Sequence, residues 1–295
     1  MSDSGVKELV VDLLSLFQEG KRRLERSGLP TARHDAEALL AGLTRMPRLA
    51  LYTERNRRVD HETVERYRAL IERRVRHEPL QYLRQEDEFF GLLLMMRPGV
   101  FIPRPETELL VERLLALLPA PSHEERRGVD LGTGTGCIAC ALCQTRPDLR
   151  IVAVDRSPEA VALARENAKQ LGLAGRVEVR EGDLWEPIRE LRGGLDFVVS
   201  NPPYIAQEQL ESLPVEVIEY EPTSALDGGP GGTALLDRII REAPSYLKPG
   251  GLLALEIGEK QAESLKMAMS TAGFVDVMTT RDLQGIERIF TGRRP

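Results

Sequence analysis

The spacing of hydrophobic residues divides the chain into a helical front part and an alternating second part. From residue 6 to 76 the apolar positions recur at helical spacing, and those from Leu9 to Phe17 share one face of a predicted helix that ends at Gly28. Thr31 and Asp60 are placed to cap a second and a third helix. This pattern predicts a small helical domain over residues 1–76.

Residues 77–103 predict a linker that contains a β-hairpin. Two apolar runs, Phe89 to Met96 and Val100 to Ile102, are separated by Arg97-Pro98-Gly99, which is typical of a turn. Pro103-Arg104-Pro105 then ends the hairpin and opens a helix at Glu106-Thr107. Arg104 and Glu106 are close enough in sequence to form an ordinary ion pair.

Residues 104–295 predict a single α/β domain, because short apolar runs alternate with amphipathic segments. The predicted strands are 129–131, 151–154, 177–181, 196–200, 252–257, 274–279 and 286–291, and the predicted helices are 136–145, 158–171, 233–246 and 259–271. This alternation is typical of a doubly wound, Rossmann-like parallel sheet of seven strands. Only Arg281 to Gly285 joins the last two strands, so the last strand should run antiparallel.

Composition and charge favour an ordinary intracellular protein. Of the 295 residues, 42% are hydrophobic and 29% are charged, and three cysteines fit a reducing compartment. No apolar run has the length of a membrane span, and the first residues lack a signal-peptide pattern, so we expect a cytoplasmic location. Residues 1–75 carry 15 Lys and Arg against 12 Asp and Glu, whereas the whole chain has a net charge of −6. The two parts are therefore expected to meet different partners.

A glycine-rich loop follows the first predicted strand and predicts a cofactor site. Gly132, Thr133, Gly134, Thr135 and Gly136 lie between that strand and the next helix, where backbone N–H groups can face a ligand. Asp155 ends the second strand, at the position expected to bind ribose hydroxyls.

The spacing of the loop separates the possible cofactors. A nicotinamide dinucleotide site requires a glycine where Cys137 stands, and no Gly-Lys-Ser/Thr follows the loop as in a nucleotide-binding P-loop. The G-x-G-x-G spacing instead resembles that of Rossmann-like S-adenosylmethionine methyltransferases. In that class an acidic residue after the third strand commonly approaches the adenine, and Asp183, followed by Leu184, has that position.

Asn201-Pro202-Pro203-Tyr204 predicts a receptor for a planar group that carries an –NH₂. The motif follows the buried strand 196–200, and its two prolines force the chain out of the sheet at the edge where such sheets bind ligands. Asn201 and the Pro202 carbonyl offer acceptors, and Tyr204 offers a flat face and a hydroxyl. We therefore expect catalytic roles for Asn201, Pro202 and Tyr204, a substrate contact at Pro203 as well, and a cofactor contact at Asn201.

Several motifs occur together in one order along the chain. They are Leu80-Gln81-Tyr82, Phe89-Phe90-Gly91, residues 102–108 (Ile-Pro-Arg-Pro-Glu-Thr-Glu), the glycine-rich loop, residues 201–205, Tyr220-Glu221-Pro222, residues 225–229 and Glu256-Ile257-Gly258. Together they closely resemble the bacterial and organellar release-factor glutamine methyltransferases, from residue 6 to 291. One departure is Gln85, where that family usually has a glycine.

The resemblance implies an S-adenosylmethionine-dependent enzyme that methylates N5 of the glutamine in the Gly-Gly-Gln loop of class 1 peptide chain release factors and yields S-adenosylhomocysteine. It implies a helical domain that docks this protein substrate, with no metal, no membrane and no direct nucleic-acid substrate. We expect a monomer.

Alternative interpretations stay open at this point. An adenine-N6 methyltransferase of RNA or DNA shares the Asn-Pro-Pro-Tyr motif, although a flipped adenine favours a basic channel and residues 76–295 carry a net charge of −9. A catalytically silent cofactor-binding subunit is disfavoured because Asp155, Asp183 and Asn201 are all present. Cys137, Cys140 and Cys143 have a spacing that invites an iron–sulfur cluster, but small apolar helix packing accounts for them better.

Overall fold

A computed structural model describes residues 11–295. The described chain forms two compact units, which divide between Gln85 and Glu86. The predicted helical positions before residue 11, Leu9 and Val10, lie outside the described residues. No helix between residues 11 and 295 is long and apolar enough to cross a membrane.

The first unit is helical, as its hydrophobic spacing predicts. Its helices are α1 (Leu13–Arg26), α2 (Ala32–Thr44), α3 (Ala50–Thr53), α4 (His61–Val75) and α5 (Leu80–Arg84). Asp60 caps α4, since its carboxylate accepts the Thr63 N–H at 2.8 Å. Thr31 precedes α2 but makes no side-chain cap: its hydroxyl donates to Asp35, which pairs with the buried Arg74.

The second unit contains a seven-stranded sheet. Its strands are β3 (Arg126–Leu131), β4 (Leu149–Asp155), β5 (Val177–Glu181), β6 (Leu195–Ser200), β7 (Leu247–Glu256), β8 (Val275–Arg281) and β9 (Glu287–Arg293). The spatial order is β5-β4-β3-β6-β7-β9-β8. The first five strands run parallel, and β9 pairs antiparallel with both β7 and β8. The predicted Rossmann-like sheet with an antiparallel last strand is confirmed.

Helices connect these strands. They are α6 (Pro105–Leu117), α7 (Cys137–Thr145), α8 (Pro158–Gln170), α9 (Val215–Tyr220), α10 (Ala234–Glu242) and α11 (Ala262–Thr271). The strand order reverses between β3 and β6, and right-handed crossovers therefore put α7 and α8 on the opposite face from α10. Such a reversal opens a crevice at the carboxyl ends of the two strands.

The hairpin exists, but the sequence prediction places its turn wrongly. Strand β1 (Glu86–Phe89) pairs with β2 (Leu92–Met95), and the turn is Phe90-Gly91, not Arg97-Pro98-Gly99. Both turn residues have positive φ, 52° and 73°, which matches the twist of a two-residue hairpin. Residues 100–102 form no strand because the Ile102 N–H bonds to the Glu221 carboxylate instead of a neighbouring strand. Gln85 also has a positive φ, 61°, a conformation that favours the family's usual glycine.

Candidate active site

A cleft of about 1010 Å³, part of it open to solvent, lies at the carboxyl ends of β3, β4 and β6. The predicted residues that line it are Gly132, Thr133, Gly134, Thr135, Asp155, Asp183, Leu184, Asn201, Pro202 and Pro203. Gly136 and Tyr204 are the two predicted site residues that lie beside the cleft without lining it. The fold therefore brings together two motifs that are far apart in sequence, the glycine-rich loop and the Asn-Pro-Pro segment.

The glycine-rich loop is shaped by backbone conformations that favour glycine. Gly132 and Gly134 have φ of 70° and 56°, and a Cβ atom added to either would meet open space. Gly136 differs: a Cβ there would lie 3.2 Å from the Ala164 side chain, so this glycine lets the loop pack closely on α8. The Thr135 hydroxyl is buried without a hydrogen-bond partner among the described residues, although Thr135 lines the cleft. The loop thus offers both room and one polar group to a ligand.

Asp155 fixes the shape of this loop from the end of β4. Its Oδ2 accepts the Gly134 N–H at 2.8 Å, and its Oδ1 accepts the Ser157 N–H at 2.9 Å. Burial raises the pKa of Asp155, while these N–H groups act in the opposite direction. Each oxygen keeps a second lone pair, so the carboxylate can still accept hydroxyl groups of a ligand.

Asp183 has a partner that the sequence did not suggest. The Arg238 guanidinium on α10 donates to its carboxylate at 2.7 Å, and both side chains are partly exposed, at 41% and 43%. An exposed pair of this kind is weak and breaks readily. The carboxylate therefore stays available to a ligand in the cleft.

The Asn201 amide is held at one end. Its Nδ2 donates to the hydroxyl of Thr107 on α6 at 3.0 Å, whereas no group within residues 11–295 donates to its Oδ1. Pro202 is largely buried, and both Asn201 and Pro202 line the cleft. Oδ1 of Asn201 can thus still accept a hydrogen bond from a ligand in the cleft.

Tyr204 is fixed at its hydroxyl and at its backbone. The hydroxyl donates to Glu256 at the end of β7 at 3.0 Å, and the Gln261 side chain donates to the Tyr204 carbonyl at 2.9 Å. Because burial and the Glu256 carboxyl raise the pKa of Tyr204, its hydroxyl keeps its proton. The ring supports the motif from beside the cleft.

Sequence reasoning missed three supporting residues, Thr107, Glu221 and Glu256. Each lies in a quoted motif, which was the signal that could have found it. Glu221 accepts the Ile102 N–H at 3.2 Å and also pairs with Arg104. The expected ion pair between Arg104 and Glu106 is therefore wrong: the buried Glu221 carboxylate attracts Arg104 instead.

Two buried carboxyl groups lie close to the cleft. Asp130, at β3, accepts the Thr133 hydroxyl at 2.6 Å, and Glu256 accepts Tyr204. Both are fully buried, and burial raises the pKa of each to about 7. Among the described residues, one oxygen of each carboxyl has no hydrogen-bond partner.

The three cysteines are confirmed as packing residues of α7. Cys137, Cys140 and Cys143 are all buried, and burial raises the pKa of each thiol. A thiol whose pKa is raised by burial is a poor nucleophile.

Comparison with known proteins identifies the family. The family model for the PrmC N-terminal domain matches residues 15–84, and the family model for the methyltransferase small domain matches residues 92–230. The release factor glutamine methyltransferase of Geobacter sulfurreducens is 42% identical over 92% of both chains. The chain belongs to the release factor glutamine methyltransferase family.

A further member agrees with this assignment, and a solved structure shares the fold. The family member of Escherichia coli is 39% identical over 94% of this chain and 97% of its own. The N-terminal domain of human METTL16 in complex with SAH shares the fold, with a TM-score of 0.51 and 22% identity over 69% of this chain and 76% of that one. The predicted family is confirmed.

Proposed function

We propose that this chain transfers a methyl group from S-adenosylmethionine to N5 of the glutamine in the Gly-Gly-Gln loop of class 1 release factors. The observation that carries the proposal is the Asn201 amide, whose oxygen has no donor among the described residues and whose residue lines the cleft. Membership of a family whose relatives bear the name release factor glutamine methyltransferase supports this substrate.

The residues of the cleft fit S-adenosylmethionine. Open space beside Gly132 and Gly134 leaves room for a close backbone approach, and the unpartnered Thr135 hydroxyl can bond a polar group. Asp155 and Asp183 would take the ribose hydroxyls and the adenine side, and Leu184 would add apolar contact. When bound, the cofactor supplies an electrophilic methyl group on a sulfonium ion.

The substrate nitrogen requires help because the lone pair of an amide is delocalised into its carbonyl. Asn201 Oδ1 and the Pro202 carbonyl would each accept one N–H of the glutamine side chain, which orients the nitrogen. Both acceptors favour the positive charge that develops on the nitrogen as the new bond forms. Pro203 lines the cleft where the planar amide would lie, and Tyr204 supports the motif from beside the cleft. The cationic product loses its proton readily.

The test is methyl transfer from labelled S-adenosylmethionine, with a class 1 release factor and an RNA of the same cell offered in parallel. Label should enter the release factor and vanish when the loop glutamine is replaced by alanine. Label in the RNA alone would refute the proposal and favour adenine-N6 methylation.

Asn201→Ala tests the residue on which the proposed function rests. Loss of one preorganised acceptor should lower kcat by about 10²–10³-fold, with kcat/KM falling in step, while the protein unfolds at a nearly unchanged urea concentration. Turnover within a few-fold of wild type would contradict the role of Asn201.

A further inference from the structure

The middle of the Asn-Pro-Pro-Tyr motif cannot donate a backbone hydrogen bond, because Pro202 and Pro203 have no N–H. The position of the motif therefore depends on what holds its two ends. Strand β6 fixes the first end, since its last residue, Ser200, pairs with both β3 and β7. The second end is Tyr204. The proposed reaction uses the Pro202 carbonyl as an acceptor, and the direction of that carbonyl depends on both ends.

Gln261, directly before α11, binds the backbone at this second end. Its Nε2 donates to the Tyr204 carbonyl at 2.9 Å and to the Gly231 carbonyl at 3.4 Å. Its Oε1 accepts the Gly258 N–H at 2.8 Å. An amide oxygen can only accept and an amide NH₂ group can only donate, so these three partners fix which way the Gln261 side chain faces.

The three partners of Gln261 come from three separate segments of the second unit. Tyr204 ends the Asn-Pro-Pro-Tyr motif, Gly231 lies in the loop before α10, and Gly258 follows β7. Gln261 is 9% exposed and is not among the described residues that line the cleft. It is therefore placed to act on the geometry of the motif and not on a ligand.

Two glycines leave the space that the Gln261 amide and the Tyr204 backbone occupy. A Cβ atom added to Gly232 would overlap the Tyr204 carbonyl oxygen and would lie 2.7 Å from Nε2 of Gln261. A Cβ atom added to Gly258 would lie 3.0 Å from Oε1 of Gln261 and 3.2 Å from the Tyr204 ring. Packing this close leaves the amide and the carbonyl little room to move apart.

We propose that Gln261 is a positioning residue, which holds the Tyr204 carbonyl and so directs the Pro202 carbonyl at the substrate amide. The inference rests on the proposed function. The ring of Pro203 fixes one of the few backbone torsions between these two carbonyls, so a displacement of the Tyr204 carbonyl is passed on to that of Pro202. Without the Gln261 amide, the Tyr204 carbonyl and the buried Gly258 N–H lose their partner, and the loop shifts to regain one.

The first test is Gln261→Met, with methylation of a release factor as the assay. The change keeps a long, unbranched side chain and removes all three hydrogen bonds. We expect kcat to fall by about 10- to 100-fold, as for a misplaced acceptor, while KM for the release factor and cofactor affinity in calorimetry stay within a few-fold of wild type. Wild-type kcat would overturn the proposal, and so would a loss of cofactor affinity as large as the loss of kcat.

A second variant and a control separate positioning from a folding defect. Gln261→Asn keeps an amide in the buried site, but its shorter side chain cannot reach the Gly258 N–H and the Tyr204 carbonyl together, so kcat should again fall. Wild-type kcat in this variant would show that the bridge is not needed and would overturn the proposal. Ser264→Ala is the matched control: it removes a hydroxyl that donates to the backbone carbonyl of Gln261 at 2.9 Å, and it should leave kcat unchanged.

Nuclear magnetic resonance without substrate or cofactor separates this inference from the proposed function. The sequence contains a single Tyr-Ile pair, Tyr204-Ile205, and a single Pro-Pro pair, so selective ¹³C and ¹⁵N labelling gives one signal for each peptide group. Both signals should shift in Gln261→Met and stay unchanged in Ser264→Ala. If both shift but the wild-type enzyme does not methylate release factors, the proposed substrate is refuted and the positioning role stands. If the Pro-Pro signal stays unchanged in an active enzyme, only the positioning role is refuted.

Discussion

The ion pair between Arg104 and Glu221 should respond very differently to the loss of either partner. It joins the segment before α6 to the residue that follows α9, and both neighbourhoods contribute to the cleft wall through Phe101, Pro103 and Pro222. The Glu221 side chain is 1% exposed, whereas that of Arg104 is 32% exposed. Removal of one partner therefore leaves a buried charge in one case and a half-solvated charge in the other.

The expected loss of stability depends on the group that each substitution leaves without its partner. Glu221→Gln leaves a guanidinium that reaches solvent and lies 4.9 Å from the Phe101 ring, and the new amide oxygen can still accept the Ile102 N–H. We expect a loss of about 1 kcal/mol in the free energy of unfolding. Among residues 11–295, Arg104→Ala leaves the buried Glu221 carboxylate with the Ile102 N–H as its one remaining partner, and such orphaned charges cost about 3–5 kcal/mol.

Urea unfolding at pH 7.5 measures both values. The double variant, Arg104→Ala with Glu221→Gln, should be more stable than Arg104→Ala alone, because the second change removes the orphaned charge. Glu219→Gln, at an exposed position two residues away, is the control and should change stability by less than about 0.5 kcal/mol.

The order of the three variants is the critical result. If Glu221→Gln proves as costly as Arg104→Ala, the asymmetric burial does not control the energy of this pair. If the double variant is the least stable of the three, the carboxylate is stabilised by something other than Arg104, and the reasoning is refuted.

Three further predictions concern the cofactor, the first unit and the pH. Asp155→Ala should weaken cofactor binding by about 1–3 kcal/mol in calorimetry. Unchanged affinity would refute the assignment of Asp155 as a cofactor-binding residue. A chain that begins at Glu86 should keep cofactor affinity but fail to methylate an intact release factor, and full activity of this truncated chain would show that the helical unit does not dock the substrate. In the folded protein Asp130 and Glu256 keep their protons up to a pH near 7, whereas in the unfolded chain they lose them at lower pH. The free energy of unfolding should therefore fall as the pH rises from about 4.5 to 7. Urea unfolding at pH 5 and 8 should show a smaller fall in Glu256→Gln, and an equal fall would contradict the raised pKa.

The strands of the sheet could be predicted because each one has its own hydrophobic pattern within a short stretch of sequence. Buried parallel strands are short apolar runs, and Val177 to Glu181 was predicted with the bounds that the structure shows. The cleft followed from one rule of topology, because the glycine-rich loop and Asn201 both follow strands whose carboxyl ends meet.

The hairpin turn was predicted wrongly because two signals competed. Arg97-Pro98-Gly99 has the stronger turn composition, whereas the actual turn uses Phe90 in a conformation that a bulky side chain rarely adopts. The Met95 N–H and carbonyl both bond the side chain of Asn167 on α8, and this tertiary contact holds the end of β2. No pattern within residues 86–102 records that contact.

The partners of the site residues were hidden for a different reason. Thr107 lies 94 residues before Asn201, Tyr204 lies 52 residues before Glu256, and Arg104 lies 117 residues before Glu221. Each pairing needs the finished fold, so a motif could reveal that these residues matter but not which residue each one serves. Since Thr107, Glu221 and Glu256 each bind another protein group, their loss should first disturb the geometry of the residues that they hold. A buried polar residue in a motif of this chain is therefore better tested by its effect on turnover and its pH dependence than by its effect on cofactor binding.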